Sequence, residues 1–298
     1  MVVEHAPIYP PVKRVLAERA AGVAKVSDVG DERVALYRNL KDRDLRGRQG
    51  LFLAESELVV RRLLRSRFVV RSLFLHPQRF EKIAAELADT CPTAPVFIAT
   101  ASIMEQIAGF PVHRGVLALA ERGTPRDPAS IIATNGPLLV LEDVADPDNI
   151  GSLFRSAAAF GYTGVLCSPG TADPLYRKAI RASMGTTLHL PFAFCPDWPA
   201  TAHRLERVTI ALTPDQTSPA LEACAIPRRH ALLVGAEGPG LSDDALRAAM
   251  VRAHVAMSRT AVDADTVDSL NVGVATAIGM YELTRREAGD MDGSPTRS

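Results

Sequence analysis

The apolar positions of this chain change period from segment to segment, and the changes mark out its elements. Between Pro137 and Asp143 an unbroken leucine- and valine-rich run reads as a buried strand. Asp146-Pro147 breaks it. Ile150, Leu153, Phe154, Ala157 and Phe160 then recur on one helical face, since each residue turns about 100°, while Ser152 and Arg155 fall on the opposite face. Asp148 or Asn149 is placed to cap this helix and Gly161 to end it. A strand pattern over 163–168 follows at once, so the segment predicts a βαβ unit in a parallel sheet. Further strand patterns at 187–192, 208–213 and 230–235, with a helix around 174–184, predict an α/β domain over 137–285. The strand at 230–235 runs into Gly235-Ala-Glu237-Gly238-Pro-Gly240-Leu-Ser242, where Ser242 caps a helix with Asp243 and Asp244 in its first turn. A last helix, Asp268 to Leu283, carries Gly273, Thr276 and Ala277, small enough to let another backbone come close.

The earlier part of the chain is patterned separately. Residues 1–32, with Pro7, Pro10 and Pro11, show no strand pattern and read as an N-terminal extension. Strands at 50–54, 69–75, 95–98 and 115–120, and helices at 56–64 and 78–87, predict a small α/β domain over 33–122. Residues 123–136, rich in Gly, Pro, Thr, Asn and Ser, read as a linker, and 286–298 as a disordered tail.

Composition narrows the class. A chain of 298 residues with 47% hydrophobic content can fill two globular cores. No apolar run approaches the roughly 20 residues of a membrane span, and the start lacks the basic-then-apolar pattern of a signal peptide. A cytoplasmic protein without a membrane partner is the expectation. Cys91, Cys167, Cys195 and Cys224 are scattered, which predicts reduced core thiols, without a disulfide framework or a metal site.

The net charge of zero hides a segregation. Residues 1–123 hold 19 Lys and Arg against 14 Asp and Glu, whereas 124–298 hold 15 against 20. The excess concentrates between Arg33 and Arg79, with 12 basic and 4 acidic residues. Such a patch suits a polyanion such as nucleic acid, or it is a solvated arginine-rich face. Arg43, Arg46 and Arg48 within it, and Arg114 beyond it, are the candidate nucleic-acid contacts.

Several chemistries are excluded by spacing. Gly235-x-x-Gly238-x-Gly240 is not the dinucleotide fingerprint, and no phosphate-loop lysine motif, nucleophile elbow, H-E-x-x-H or C-x-x-C occurs. Instead, three stretches stand in order: Asn149-x-Gly151-x-x-x-Arg155 with Phe160-Gly161, Gly235-x-Glu237-x-x-Gly240, and Ser269-Leu270-Asn271-Val272. Together they resemble the motifs of the SpoU, or TrmH-like, RNA ribose 2′-O-methyltransferases of the SPOUT superfamily. Arg181-Ala-Ser-Met-Gly185 between the first two fits the same pattern, and the small domain is similar to the ribosomal-protein-L30e-like substrate domain many of these enzymes carry.

The resemblance implies a parallel sheet whose C-terminal part is threaded into a trefoil knot, a departure from the rule against threaded connections. It further implies a homodimer acting on rRNA or tRNA. S-adenosylmethionine would be held near Thr213, Gly235, Gly240, Val255, Met257 and Leu270. Arg155, Asn149, Glu237, Ser269 and Asn271 become the catalytic candidates.

Each has an ordinary reading beside the functional one. Methyl transfer to a hydroxyl needs alignment and a group that favours the alkoxide-like oxygen. Arginine suits this as a fixed cation, being no free base with a pKa above about 12; otherwise Arg155 pairs with Asp148 or Asp173. Asn149 is a helix cap, a catalytic group, or both. Glu237 accepts from Asn149 or Arg155, or faces solvent. Ser269 and Asn271 cap a helix or orient the acceptor nucleotide, and Gly235 and Gly240 serve a tight turn or a close ligand.

One departure stands out: Val255-Ala-Met257 has Ala256 where the family usually has proline, and residues 258–268 form a longer loop than the pattern allows. Two rival readings follow, an RNA-binding protein of this fold without methyl transfer and a nucleotide-binding α/β oxidoreductase.

Overall fold

The computed structural model describes residues 22–38, 41–42, 45–112, 114–257 and 269–291. The chain divides into two compact units. The first runs to Thr124 and includes Leu175–Arg181; the second comprises Pro125–Pro174 and the chain from Ala182.

In the first unit, strands β1 (Val23–Lys25), β2 (Leu51–Glu55), β3 (Val70–Leu75), β4 (Val96–Ile98) and β5 (Val116–Glu121) form one sheet in the order β1-β4-β3-β5-β2. β1 and β3 run parallel to β4, while β5 is antiparallel to both β3 and β2. Helices α1 (Glu57–Leu64), α2 (Pro77–Thr90) and α3 (Ala101–Ala108) pack by one apolar face each. Val59, Val60 and Leu63 are buried from α1, and Phe80, Ile83, Ala84 and Leu87 from α2. Ser56 caps α1 by accepting from the Val59 amide. Two elements depart from the sequence reading. β1 lies inside the span expected as an extension, because three residues show no period and the strand exists through its pairing with Val96–Ile98. α3 was not expected at all, although Thr100 caps it and Gly109, at φ 77°, closes it in the left-handed region.

The second unit holds α4 (Pro128–Ile132), β6 (Leu138–Leu141), α5 (Pro147–Ala159), β7 (Gly164–Cys167), β8 (Phe192–Phe194), β9 (Val208–Leu212) and β10 (His230–Val234). A short helix α6 (Arg177–Ala182), most of which counts with the first unit, precedes β8, and α7 (Asp243–Ala248), β11 (Val251–Ala253) and α8 (Val272–Met291) complete the chain. The six strands lie in the order β11-β9-β10-β6-β7-β8, every neighbouring pair parallel. All residues of β6 and β10 are buried, as the unbroken apolar runs of a covered parallel sheet require. The chain leaves β6 towards β7 and β8, then resumes at β9 on the far side of β10. That reversal, between β6 and β10, opens a crevice at the carboxyl ends of the strands.

Here too some boundaries move. The strand expected at 187–192 is a 3-10 turn, Thr186–Leu188, followed by β8; Pro191, which has no amide hydrogen to donate, uses its carbonyl to accept from Val165 at 2.9 Å. Within the expected linker, Asp127 caps α4 and Ile131 is buried. Buried Arg207 then clasps that run, donating to the carbonyls of Ile132, Thr134 (2.9 Å) and Gly136 (2.7 Å) and so fixing the entry to β6. Asp146, rather than Asp148 or Asn149, caps α5, accepting from the Asp148 amide at 3.0 Å with Pro147 at the first helical position. α8 runs on to Met291, into the stretch expected as tail. Residues 292–298, 1–21 and the 258–268 loop lie outside the described residues. All four cysteines are free, but only Cys167 and Cys195 are buried; Cys91 and Cys224 are half-buried.

Candidate active site

A cavity of about 420 Å³ opens at the carboxyl ends of β9 and β10 in the second unit. The six residues expected to hold a cofactor, Thr213, Gly235, Gly240, Val255, Met257 and Leu270, all line it. So do Glu237, Ser269 and Asn271, and so do Gln216, Ala275 and Thr276, which the sequence reading did not assign. Most of the wall is backbone or apolar side chain. Among the described residues Glu237 is its one charged member, and no Lys, Arg or His lines it.

The glycine loop after β10 closes on itself. The Gly240 amide donates to the Ala236 carbonyl at 2.9 Å, and Gly238 (φ 87°) and Gly240 (φ 72°) make the turn in the left-handed region. A Cβ on Gly235 would overlap the Gly240 carbonyl and the Leu241 nitrogen. Tight-turn geometry alone therefore demands glycine at 235. The neighbouring wall is also tied: the Thr213 amide donates to the Ala253 carbonyl at 3.0 Å, and its hydroxyl accepts from the Asp215 amide at 3.2 Å. The Thr217 amide and hydroxyl both donate to Asp215, holding its carboxyl below the usual range.

At the rim one amide joins three elements. Asn271 caps α8, its Oδ1 accepting from the Gly273 amide at 2.9 Å and the Val274 amide at 3.3 Å. Because backbone amides occupy the oxygen, the orientation of the group is determined, and Nδ2 is the donor. It donates to Asn149 Oδ1 at 3.1 Å and to Glu237 Oε1 at 2.6 Å. A residue of α5, one of the β10 loop and one of the α8 cap thus meet across the reversal between β6 and β10. Gly273 allows the approach, since a Cβ there would come within 3.2 Å of both Asn271 Oδ1 and Ser152 Oγ.

This arrangement revises the expectations for Asn149 and Glu237 and bears out the capping reading of Asn271. Asn149 does not cap α5; it is a buried residue inside the helix. Glu237 meets neither Asn149 nor Arg155 by a hydrogen bond, but accepts from Asn271 instead. Asn271 both caps and bridges. Arg155 is exposed on the outer face of α5 and, among the described residues, has no ion pair with Asp148 or Asp173. It does not line the cavity.

Glu142, at the carboxyl end of β6, carried no assignment from sequence. It is buried and accepts from Trp198 Nε1, the Ser242 amide and the Ser242 hydroxyl, each at 2.7 Å. These bonds fix the far end of the glycine loop to the sheet. Its signal was present as an acid ending an apolar strand, a position where a carboxylate needs partners.

The RNA candidates are not brought together. Arg43 and the side chain of Arg48 lie outside the described residues, and Arg46 is exposed. Arg114, also exposed, lines a second cavity, of about 430 Å³, in the first unit with Glu57, Leu58, Arg61 and Arg79. Among the described residues no helix is long and apolar enough to cross a membrane, and no group of three or more His, Cys, Asp or Glu is placed to hold a metal ion.

A model of the SpoU rRNA methylase family matches residues 136–281, which span the whole parallel sheet and the rim. An uncharacterized tRNA/rRNA methyltransferase of Mycobacterium bovis is 41% identical over 273 residues, covering 88% of this chain and 92% of the relative. The chain belongs to the SpoU methylase family. Within that family, the 23S rRNA (guanosine-2′-O-)-methyltransferase RlmB of Salmonella typhi is 29% identical over 196 residues, 63% of this chain and 78% of its own. The structure of an AdoMet-bound rRNA methyltransferase from Sinorhizobium meliloti has the same fold, with a TM-score of 0.72 at 23% identity over 89% of this chain and 98% of that one.

Proposed function

We propose that this SpoU methylase moves the methyl group of S-adenosylmethionine to a ribose 2′-hydroxyl of ribosomal or transfer RNA in the cytoplasm. The observation that carries the reading is a cavity that no Lys, Arg or His lines among the described residues and whose rim holds the Asn149–Asn271–Glu237 cluster. A wall without Lys, Arg or His suits a nucleoside ligand that has no phosphate and bears a positive sulfonium. Apolar Leu212, Val234, Val255 and Leu270 suit its adenosyl and thioether parts. When bound, the donor supplies an electrophilic methyl group; the new O–CH3 bond forms as the S–CH3 bond breaks, sulfur keeps the electron pair, and the hydroxyl proton leaves to water at the open rim.

The protein's own residues align and polarise. Backbone of the glycine loop and of Thr213 and Leu270 would hold the donor, and the Glu237 carboxylate in the same wall would offset the positive charge the donor brings. Asn271 sets Glu237 and Asn149 relative to each other, Ser269 orients the acceptor nucleotide, and the exposed cation of Arg155 favours the alkoxide-like oxygen. Exposed Val274, Ile278 and Tyr281 recur along one face of α8, with Phe160 edge-on to Tyr281 at 6.4 Å between ring centroids. A second copy of the chain covering that stripe completes a homodimer. The return of the chain from β11 to the cavity wall at 269–276 supports the trefoil-knotted threading, and the mixed sheet flanked by helices supports an L30e-like RNA domain.

The test is transfer from tritiated S-adenosylmethionine to separated rRNA and tRNA of a methylation-deficient strain, followed by alkaline hydrolysis. The expected product is a labelled, alkali-resistant dinucleotide, because a 2′-O-methyl group removes the nucleophile that cleaves the neighbouring phosphodiester. Label on a base, or no transfer to either RNA with the donor bound, overturns the reading.

A further inference from the structure

We infer that the first unit carries a pocket that reads the Watson–Crick edge of an unpaired guanine, built from Glu57, Leu58, Arg61, Arg79 and Arg114. The inference rests on the RNA-acting reading above and names what the small unit recognises.

The pocket lies where two strands end and a third begins. Glu57 opens α1 directly after β2, Arg79 stands in the first turn of α2 after β3, and Arg114 precedes Gly115 at the entry to β5. Gly115, at φ 59°, brings that entry against the start of α2, for a Cβ on it would lie 2.9 Å from His76 Cβ. Arg61 is anchored by its ion pair with Glu86 and by the Lys82 carbonyl at 3.2 Å, so it holds its place without Glu57. The Glu57 carboxylate is met only at long range. Oε1 accepts from Arg61 Nε at 3.4 Å and NH2 at 3.3 Å, and Oε2 from Arg79 NH1 at 3.5 Å. Its side chain is 30% exposed, leaving lone pairs for a better-placed donor. Arg114 is exposed with no ion pair among the described residues, and Leu58 is 40% exposed.

The mixture of charges selects the ligand. A phosphate would gain the guanidinium groups but meet a carboxylate among them. A base edge that both donates and accepts gains from both. Guanine presents two adjacent donors, N1–H and N2–H, which match the two oxygens of one carboxylate, and next to them the O6 acceptor, which matches a guanidinium. Adenine, cytosine and uracil offer no such pair of neighbouring donors beside an acceptor. The edge is free only in unpaired RNA, and Leu58 provides an apolar surface for the base plane.

The experiment measures the anisotropy of fluorescein-labelled uridine 9-mers with a central guanine, inosine or adenine, titrated with the full chain at fixed salt, with an rRNA fragment as a general ligand. Guanine should bind roughly tenfold tighter than adenine, as expected for a paired base-edge contact, and inosine, which lacks the 2-amino group, should fall between them. Glu57→Gln should reduce guanine to the adenine level and leave adenine unchanged; Arg114→Ala should also remove the preference, with both variants checked by circular dichroism. Equal affinity for guanine and adenine, or a preference that survives Glu57→Gln, overturns the pocket while the RNA-acting reading stands. No binding of the 9-mers or of rRNA overturns both.

Discussion

The two cavities of this chain are nearly equal in size, about 420 Å³ in the second unit and about 430 Å³ in the first, yet their walls are opposites. Among the described residues the larger unit's cavity is mostly backbone and apolar side chain, with one carboxylate. The smaller unit's is almost wholly charged side chain, with three arginines around a glutamate. Parallel strands explain the first: their ends converge and leave carbonyl and amide groups facing a crevice, which glycine lets the chain fold around. In the second, a mixed sheet brings helix starts and a strand entry together, so long side chains form the wall. Volume says little about the ligand; the division between backbone and side chain says more. A backbone wall holds one compact molecule in a fixed pose, whereas a wall of arginines adapts to part of a large polymer.

If this contrast is right, the catalytic cation belongs outside the cofactor cavity. Arg155→Ala should lower methyl transfer by about 10²–10³-fold, the usual cost of one charge-stabilising group, while calorimetry finds donor affinity within about twofold. Wild-type turnover would remove Arg155 from the chemistry. The rim is tested next: Asn271→Asp replaces the bridging NH2 by an oxygen facing two acceptors, and a mismatch of about 1–3 kcal/mol should reduce single-turnover transfer roughly ten- to hundredfold. Retained transfer would show the bridge to be incidental. The backbone wall comes third. Gly235→Ala should lose about 1–3 kcal/mol of stability from forced overlap, read as a lower melting temperature with weaker donor binding. Gly238→Ala, which meets open space at φ 87°, should cost about 1–2 kcal/mol for a left-handed alanine.

For the side-chain-walled unit the effects are smaller and depend on salt. Neutralising Arg43, Arg46 and Arg48 together should leave donor binding unchanged and reduce the slope of log affinity for single-stranded RNA against log salt by roughly 2, at about 0.7 per lost phosphate contact. An unchanged slope would mean that these residues are a solvated face. The smallest effect concerns the cores. Burial pushes the Cys195 thiol up to about 11 and raises Cys167 as well. A thiol with a raised pKa forms thiolate only as pH approaches that value, so maleimide at neutral pH should label Cys91 and Cys224 first, with Cys195 following only in alkali. Early labelling of Cys167 or Cys195 would mean a looser sheet than the one described.

Sequence carried the cavity well and the rim poorly, for a physical reason. Strand ends and glycine turns are local, so the runs and breakers marked where the chain turns, and the resemblance of the ordered motifs to a known family singled out Thr213, Gly235, Gly240 and Leu270, all of which line the cavity. The bridge depends on Asn271 meeting Asn149, 122 residues earlier, and on which end of its amide faces the backbone. No local pattern encodes that. Glu142 went unassigned because its partners, Trp198 and Ser242, are remote in sequence. β1 escaped because three residues acquire strand character only from a neighbour, and α4 because five residues show no helical face. The guanidinium pocket escaped for another reason: in sequence Arg61 and Arg79 are only members of an arginine-rich stretch, and only folding sets them around Glu57.

The closure of the glycine loop bears on how the family's history should be read. Gly235 is required by the chain's own Gly240–Leu241 backbone, so selection for folding alone would retain it in a descendant that had abandoned methyl transfer. Glu237 has no such second constraint: its carboxylate touches the Asn271 amide at the rim and supports no core. Among relatives, drift at 237 beside an intact 235 would therefore mark a lineage that kept the scaffold after giving up the chemistry.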